Sequence, residues 1–216
     1  MNSSSDAFAE SRLRMVEFQL RHRGIADQRV LEAMARVPRH EFAPQRYIDQ
    51  AYEDHPLSIG EGQTISQPYI VALMLEALAI EENDRVLEVG TGSGYVTALL
   101  AELAHDVISI ERHAALANAA RQLLARRGYK NINVITGDGS QGYAPCSPYN
   151  AVLVSAAALE IPSALLSQLA EGGRLIIPVG SEDAQQLQFV RMEGGHAEIE
   201  FRELCRFVPL LPGVDE

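Results

Sequence analysis

Apolar positions divide this chain in two. Up to about residue 80 they recur at helical spacing. Leu13, Val16 and Leu20 form a stripe over residues 12–23 that Gly24 stops. Val30, Met34 and Val37 share one face of a second helix over 28–37, which Asp27 can cap and Pro38 ends. A strongly apolar third helix is predicted over 68–80. The stretch before it, 51–67, holds Pro56, Gly60 and Gly62 and few residues for a core, so it reads as a long loop. Ordered loops of that length inside a compact domain are more often functional than idle.

From residue 84 the pattern changes to short β-like runs at 85–89, 107–110, 133–136, 151–155 and 174–179. Helical stretches separate them at 95–103, 114–127 and 162–169. Strands alternating with helices imply right-handed parallel crossovers, hence an α/β fold with a doubly wound, mostly parallel sheet. Two later β-like runs, 186–192 and 199–208, are close enough to pair as antiparallel strands on one edge. The expected organisation is an N-terminal helical cap with a loop (1–80) on an α/β core (81–216), together one compact unit.

Composition narrows the partners. Eighteen Lys and Arg against 29 Asp and Glu give a net charge of −11, which repels phosphate backbones, so no nucleic-acid partner is expected. The two cysteines, Cys146 and Cys205, lie far apart without CxxC, and the six histidines show no HExxH or HxxxH spacing, so no metal site is expected. The opening residues are polar and carry Asp6 and Glu10, unlike a signal peptide, and no apolar run approaches a bilayer span. A cytoplasmic protein with no membrane partner is expected, as a monomer.

Chemistry gathers where the first strand meets its helix, at Glu88-Val89-Gly90-Thr91-Gly92-Ser93-Gly94-Tyr95. Ligands of open parallel sheets bind at the carboxyl ends of strands, and a helix N-terminus there offers free N–H groups. A dinucleotide fingerprint, G-x-G-x-x-G, would need glycine at position 95, which is Tyr95, and no Lys-Ser or Lys-Thr follows as in a P-loop. Glu88, two residues before the first glycine, would sit beside the pocket, repel a pyrophosphate and welcome an ammonium or sulfonium group. S-adenosylmethionine carries both. Glu111 closes the second strand, where a carboxylate can accept from both ribose hydroxyls. Asp138, in Gly137-Asp138-Gly139 after the third strand, could accept from the adenine amino group. Singly, each acid reads better as a solvated carboxylate; three at successive strand ends beside a glycine loop point to a ligand.

The acceptor is less explicit. Asn or Asp followed by Pro-Pro-Tyr, common in enzymes that methylate exocyclic base amines, is absent: Val154-Ser155-Ala156-Ala157-Ala158 stands in its place. Polar residues also gather in Gly62-Gln63-Thr64-Ile65-Ser66-Gln67-Pro68. From helix physics Ser66 reads first as the N-cap of the next helix; a hydroxyl there would also suit a substrate carboxylate.

With Arg23-Gly24-Ile25, Val37-Pro38-Arg39-His40-Glu41-Phe42, Ala51-Tyr52-Glu53-Asp54, Gly172-Gly173-Arg174 and Phe207-Val208-Pro209-Leu210, these segments resemble the protein-L-isoaspartate (D-aspartate) O-methyltransferase family over about 12–211. The resemblance implies a Rossmann-like, class I S-adenosylmethionine-dependent methyltransferase fold whose final strands are ordered differently from the usual methyltransferase sheet. It implies S-adenosylmethionine as donor, held by Glu88, Gly90, Thr91, Gly92, Gly94, Glu111, Asp138 and Gly139. Isoaspartyl-containing proteins and peptides are the implied acceptors, bound by Gln63, Thr64, Ile65, Ser66 and Val208, with Ser66 catalytic. Three alternatives stay open: a methyltransferase of the same build acting on another carboxylate, a module that binds the donor without turnover, and an NAD oxidoreductase, which the glycine spacing disfavours.

Overall fold

The computed structural model describes residues 8–215, so residues 1–7 and 216, at the outer ends of the expected cap and core, lie outside it. Its centre is a seven-stranded sheet. The strands are β3 (Arg85–Val89), β4 (Asp106–Glu111), β5 (Ile132–Thr136), β6 (Tyr149–Val154), β7 (Leu169–Gly180), β8 (Gln185–Glu193) and β9 (His196–Cys205). Their spatial order is β5-β4-β3-β6-β7-β8-β9. The first five are parallel neighbours, and β8 and β9 extend the edge as an antiparallel meander. The chain leaves β3 toward β4 and β5, then returns to β6 on the other side. That reversal puts the switch point at the carboxyl end of β3, where the glycine loop begins.

Helices α2 (Gln28–Arg36), α3 (Pro68–Leu78), α4 (Tyr95–Leu103) and α5 (Ala114–Arg126) cover one face. Their apolar sides share one cluster with Val86, Val107, Ala151, Leu153 and Ile176 of the sheet. Leu87, Val89, Ile108, Ile110, Val152, Val154 and Leu175 point the opposite way and pack with Leu165 of α6 (Ser163–Ser167). Burial on both faces explains why these strands are nearly continuous apolar runs.

Predicted and observed bounds coincide for β3 and α4 and differ by a residue or two for most others. Asp27 caps α2 as expected, its carboxylate accepting from Arg29 N and Val30 N. Three departures have local causes. The first helix winds as α1 (Ala9–Arg14), a π-turn over Met15–Leu20 and a 3₁₀ turn over Arg21–Arg23. The wider π-turn brings Met15 into the core beside Val16 and Leu20 and leaves Leu13 58% exposed. Strand β7 starts at Leu169 rather than 174, because Leu169 already pairs with Tyr149 across a register shift, which cuts α6 to five residues. The expected loop 51–67 contains a hairpin, β1 (Leu57–Gly60) with β2 (Gln63–Ile65), turned at Glu61 and Gly62. Both turn residues have positive φ, +50° and +68°, the conformation that lets a two-residue turn follow strand twist.

Candidate active site

A cavity of about 280 Å³ opens at the switch point. One wall is the end of the parallel sheet: Val89 to Ser93, Glu111 to His113, Gly139, Ser155 and Ala156. The second wall is the hairpin segment Gln63 to Gln67 with Pro56, and the C-terminal segment Leu204 to Leu211 closes the third side.

The sheet wall is made by backbone. Ile110 O accepts from Gly90 N at 2.8 Å and Thr91 N at 3.3 Å, so the loop continues the ladder past the strand end. Gly94 begins α4 at φ +87°, and a Cβ there would lie 3.3 Å from Ala120 and Leu124, so glycine serves both the turn and the packing of α4 on α5. Gly139 has no room for a side chain: its Cβ would fall 2.4 Å from Val89 Cγ1.

Glu111 lines the cavity where expected, 4% exposed. Its Oε2 accepts from Gly92 N at 2.8 Å and its Oε1 from His113 N at 3.0 Å. Each carboxylate oxygen keeps a second lone pair for a ligand.

The other two acids behave differently. Glu88 is no part of the wall. Alternation along β3 turns it to the same face as Val86, beneath α4, where it is fully buried and accepts hydrogen bonds from Thr97 Oγ1 and Ser109 Oγ. Burial pushes its pKa up to about 8 against those hydrogen bonds. It is therefore chiefly neutral at pH 7 and cannot repel a pyrophosphate or attract a sulfonium as the sequence suggested. Thr91, whose Oγ1 bonds the same Ser109 Oγ, connects this buried group to the cavity.

Asp138 is also turned away. Its Oδ1 accepts from Ser140 N (2.9 Å) and Ser140 Oγ (2.6 Å), and its Oδ2 from Gly213 N (2.9 Å). It caps the 3₁₀ turn Gly139–Gln141 and ties down the C-terminal segment rather than facing the cavity. Partial burial raises its pKa, but the hydrogen bonds from Ser140 and Gly213 and the charge of Arg112 outweigh that and leave it below the ordinary value.

Gln63, Thr64, Ile65, Ser66 and Val208 all border the cavity, as do Gly90, Thr91, Gly92 and Gly139. Gln63 Nε2 reaches Glu61 O (3.2 Å) and His113 Nε2 (3.5 Å), spanning the hairpin and sheet walls. Val208 O accepts from Ala157 N at 2.8 Å. Ser66 does not cap α3: Gln67 holds that position with no side-chain bond, and Asp54 Oδ1 takes the Tyr69 N–H at 3.1 Å instead. Asp54 Oδ2 also accepts from Gln67 Nε2 at 2.7 Å and pairs with Arg23. The Ser66 hydroxyl makes no hydrogen bond among the described residues, while its carbonyl accepts from Arg39 Nη2 at 2.9 Å.

Arg112 and His113 are cavity residues that sequence reasoning missed, although they directly follow Glu111. Asp215 holds them, 2.8 Å from Arg112 Nη2 and 3.3 Å from His113 Nδ1. Among the described residues no group of three or more His, Cys, Asp and Glu could hold a metal ion, and no helix is long and apolar enough to cross a membrane.

Known proteins are similar to this chain in sequence and fold. The family model for protein-L-isoaspartate(D-aspartate) O-methyltransferase matches residues 11–215. The protein-L-isoaspartate O-methyltransferase of Koribacter versatilis is 57% identical over 94% of this chain and 92% of its own. That of Methanoculleus marisnigri is 55% identical over 96% and 94%. The crystal structure of a Plasmodium falciparum homologue in complex with S-adenosyl-L-homocysteine superposes with a TM-score of 0.82 at 28% identity, covering 93% of this chain and 98% of that one. A second solved protein-L-isoaspartate O-methyltransferase gives a TM-score of 0.83 at 28% identity, over 93% of this chain; the present chain spans 65% of its length. With a cavity built on the glycine loop, Glu111 and the Gln63–Ser66 segment, and matches across nearly its whole length, this chain belongs to the protein-L-isoaspartate(D-aspartate) O-methyltransferase family.

Proposed function

We infer that this protein transfers a methyl group from S-adenosylmethionine to the α-carboxylate of L-isoaspartyl residues, and less well of D-aspartyl residues, in damaged proteins and peptides. The methyl ester then cyclises to a succinimide, which hydrolyses in part to normal aspartate. One observation carries this reading: the uncommitted hydroxyl of Ser66 shares a single cavity with the glycine loop and Glu111.

The residues present suit the donor. Glu111 offers acceptor capacity at a strand end, and Gly90, Gly92 and Gly139 leave backbone where side chains would intrude. Bound S-adenosylmethionine supplies an electrophilic methyl group on a positively charged sulfur. The chain's own residues have a limited task, because a carboxylate of ordinary pKa is ionised at pH 7 and needs no general base. Ser66 donates to one carboxylate oxygen and turns the other toward the donor side. Ile65, Val96, Phe207 and Val208 keep water from the reacting groups, which strengthens the attraction between anion and cation. Rate enhancement then comes from alignment and dehydration rather than proton transfer.

Ser66→Ala tests the assignment. The expected result is a kcat/KM on a synthetic isoaspartyl peptide lowered by about ten- to a thousandfold, as for loss of one positioned donor. Wild-type turnover in this variant would remove Ser66 from catalysis. Running the matched aspartyl peptide beside the isoaspartyl one decides the acceptor: equal rates would point to a different carboxylate.

A further inference from the structure

One strongly charged group stands behind the site and is not used by the chemistry above. Arg39, between α2 and the hairpin segment, is 0% exposed. Its Nε donates to Ala51 O at 2.8 Å and its Nη2 to Ser66 O at 2.9 Å. One guanidinium therefore closes both ends of the segment that carries the hairpin and Ser66. Its carbon stands 4.9 Å from the centre of the Tyr95 ring, and Tyr95 itself borders the cavity. Nη1 and the Tyr95 hydroxyl make no hydrogen bond of good geometry among the described residues, although the hydroxyl lies close enough to the guanidinium to interact with it. No carboxylate forms an ion pair with Arg39 among the described residues. Asp54, the carboxylate whose charge it senses, is engaged by Arg23, Gln67 and Tyr69.

An arginine stays protonated even when buried, so a whole positive charge lies directly behind this wall of the cavity, with its nearest carboxylate already paired to Arg23. Leaving a buried cation unpaired is costly, and two carbonyls and a ring offset it only in part. The carbonyls alone could be held by a neutral donor. A full charge at this place has a purpose if an anion arrives on the other side of Ser66.

We propose that Arg39 is a positioning residue with two separable effects: its fork fixes the backbone that presents the Ser66 hydroxyl, and its charge is the counterion of the acceptor carboxylate. The proposal rests on the carboxyl-methylation reading. The two effects fall on different kinetic constants. Methyl transfer neutralises the carboxylate, so a fixed cation favours the bound ground state more than the transition state and acts on KM. The fork sets alignment and acts on kcat.

Arg39→Met and Arg39→Lys, in the full-length protein, separate them. Steady-state kinetics with an isoaspartyl peptide at saturating S-adenosylmethionine give kcat and KM, and calorimetry gives the Kd for S-adenosylhomocysteine. Arg39→Met should raise KM about tenfold and lower kcat about tenfold, with Kd for S-adenosylhomocysteine within about threefold of wild type. Arg39→Lys keeps the charge but cannot serve both carbonyls in one plane, so KM should return to within about threefold while kcat stays low. If Arg39→Met does not fold, the Lys variant decides alone, since low kcat at near-normal KM is the signature of a retained charge on a lost fork. Wild-type KM in Arg39→Met, or KM and Kd rising together in both variants, overturns the counterion role. Failure of the wild-type protein to methylate the peptide would instead overturn the functional reading beneath it.

Discussion

The two principal walls of the cavity are held by different kinds of bond. The sheet wall continues a parallel ladder: Gly90 and Thr91 bond to Ile110 O, Ser155 N to Val89 O, and Gly137 N to Glu111 O. These are obligatory backbone pairs, and side chains mainly decide what fits between them. The hairpin wall has only a short two-stranded pairing of its own; Ile65 seats it in the core, Gln63 reaches His113 at 3.5 Å, and its short polar ties to the rest of the protein come from Arg39 and Asp54. Two isolated strands are marginal in water, so the hairpin borrows its order from those anchors. Damage to one anchor should therefore change how the acceptor is presented while leaving the sheet wall intact.

Asp54→Ala puts that contrast to its hardest test. It removes the acceptor for the Tyr69 N–H, the tie to Gln67 and the partner of Arg23 together. Misplacing a reacting group by about 1 Å can cost on the order of a hundredfold, so kcat/KM on an isoaspartyl peptide should fall by about that factor. The Kd for S-adenosylhomocysteine, measured by calorimetry on the same preparation, should stay within about threefold. A matching loss in both would show that the walls are not independent.

The same contrast explains what could be read from the sequence. The glycine loop, β3 and α4 are local patterns, and their bounds were legible residue by residue. The hairpin escaped notice because its turn is Glu61-Gly62, without the Asn-Gly or Asp-Gly signal of such turns. Ser66 reads as a helix cap until Asp54, twelve residues earlier in the chain, is seen to satisfy Tyr69 N. Asp138 is consumed by Gly213 from the far end of the chain. Glu88 was misplaced for a simpler reason: "at the strand end" fixes a position along the strand, whereas pleating decides which face the side chain takes. Its partners Ser109 and Thr97 are short polar residues on the next strand and the covering helix, visible only once the register Glu88 to Ser109 is known.

On the sheet wall a single side chain should matter for the donor more than for the acceptor. Glu111→Gln keeps the size of the residue but removes the charge that receives Gly92 N and His113 N. Loss of one charge-assisted bond is worth about 1.5–3 kcal/mol, so the Kd for S-adenosylhomocysteine should rise by at least about tenfold. With the donor saturating, KM for the peptide should move less than about threefold. A larger effect on the peptide than on S-adenosylhomocysteine would reverse the roles given to the two walls.

Glu88 offers the most selective probe, with the smallest effect on the site itself, because it lies beneath the sheet wall and touches no cavity surface. Its folded pKa of about 8 stands above the ordinary 4.5. The native state therefore holds a proton between those values that the unfolded chain has released. The corresponding stability is fully present below about pH 4.5 and is lost as pH rises toward 8. Glu88→Gln carries no ionisable group, so its melting temperature should gain on that of wild type as pH goes from 5 to 9. The relative gain should be on the order of 4 kcal/mol, since about 1.36 kcal/mol accrues for each of the roughly three pH units between 5 and 8, or about 8–16 °C for a chain of this size. If the difference between the two melting curves does not change with pH, Glu88 is ionised in the native state. The sulfonium-attracting carboxylate suggested by the sequence would then have to be reconsidered, acting through Ser109 and Thr91 rather than at the cavity surface.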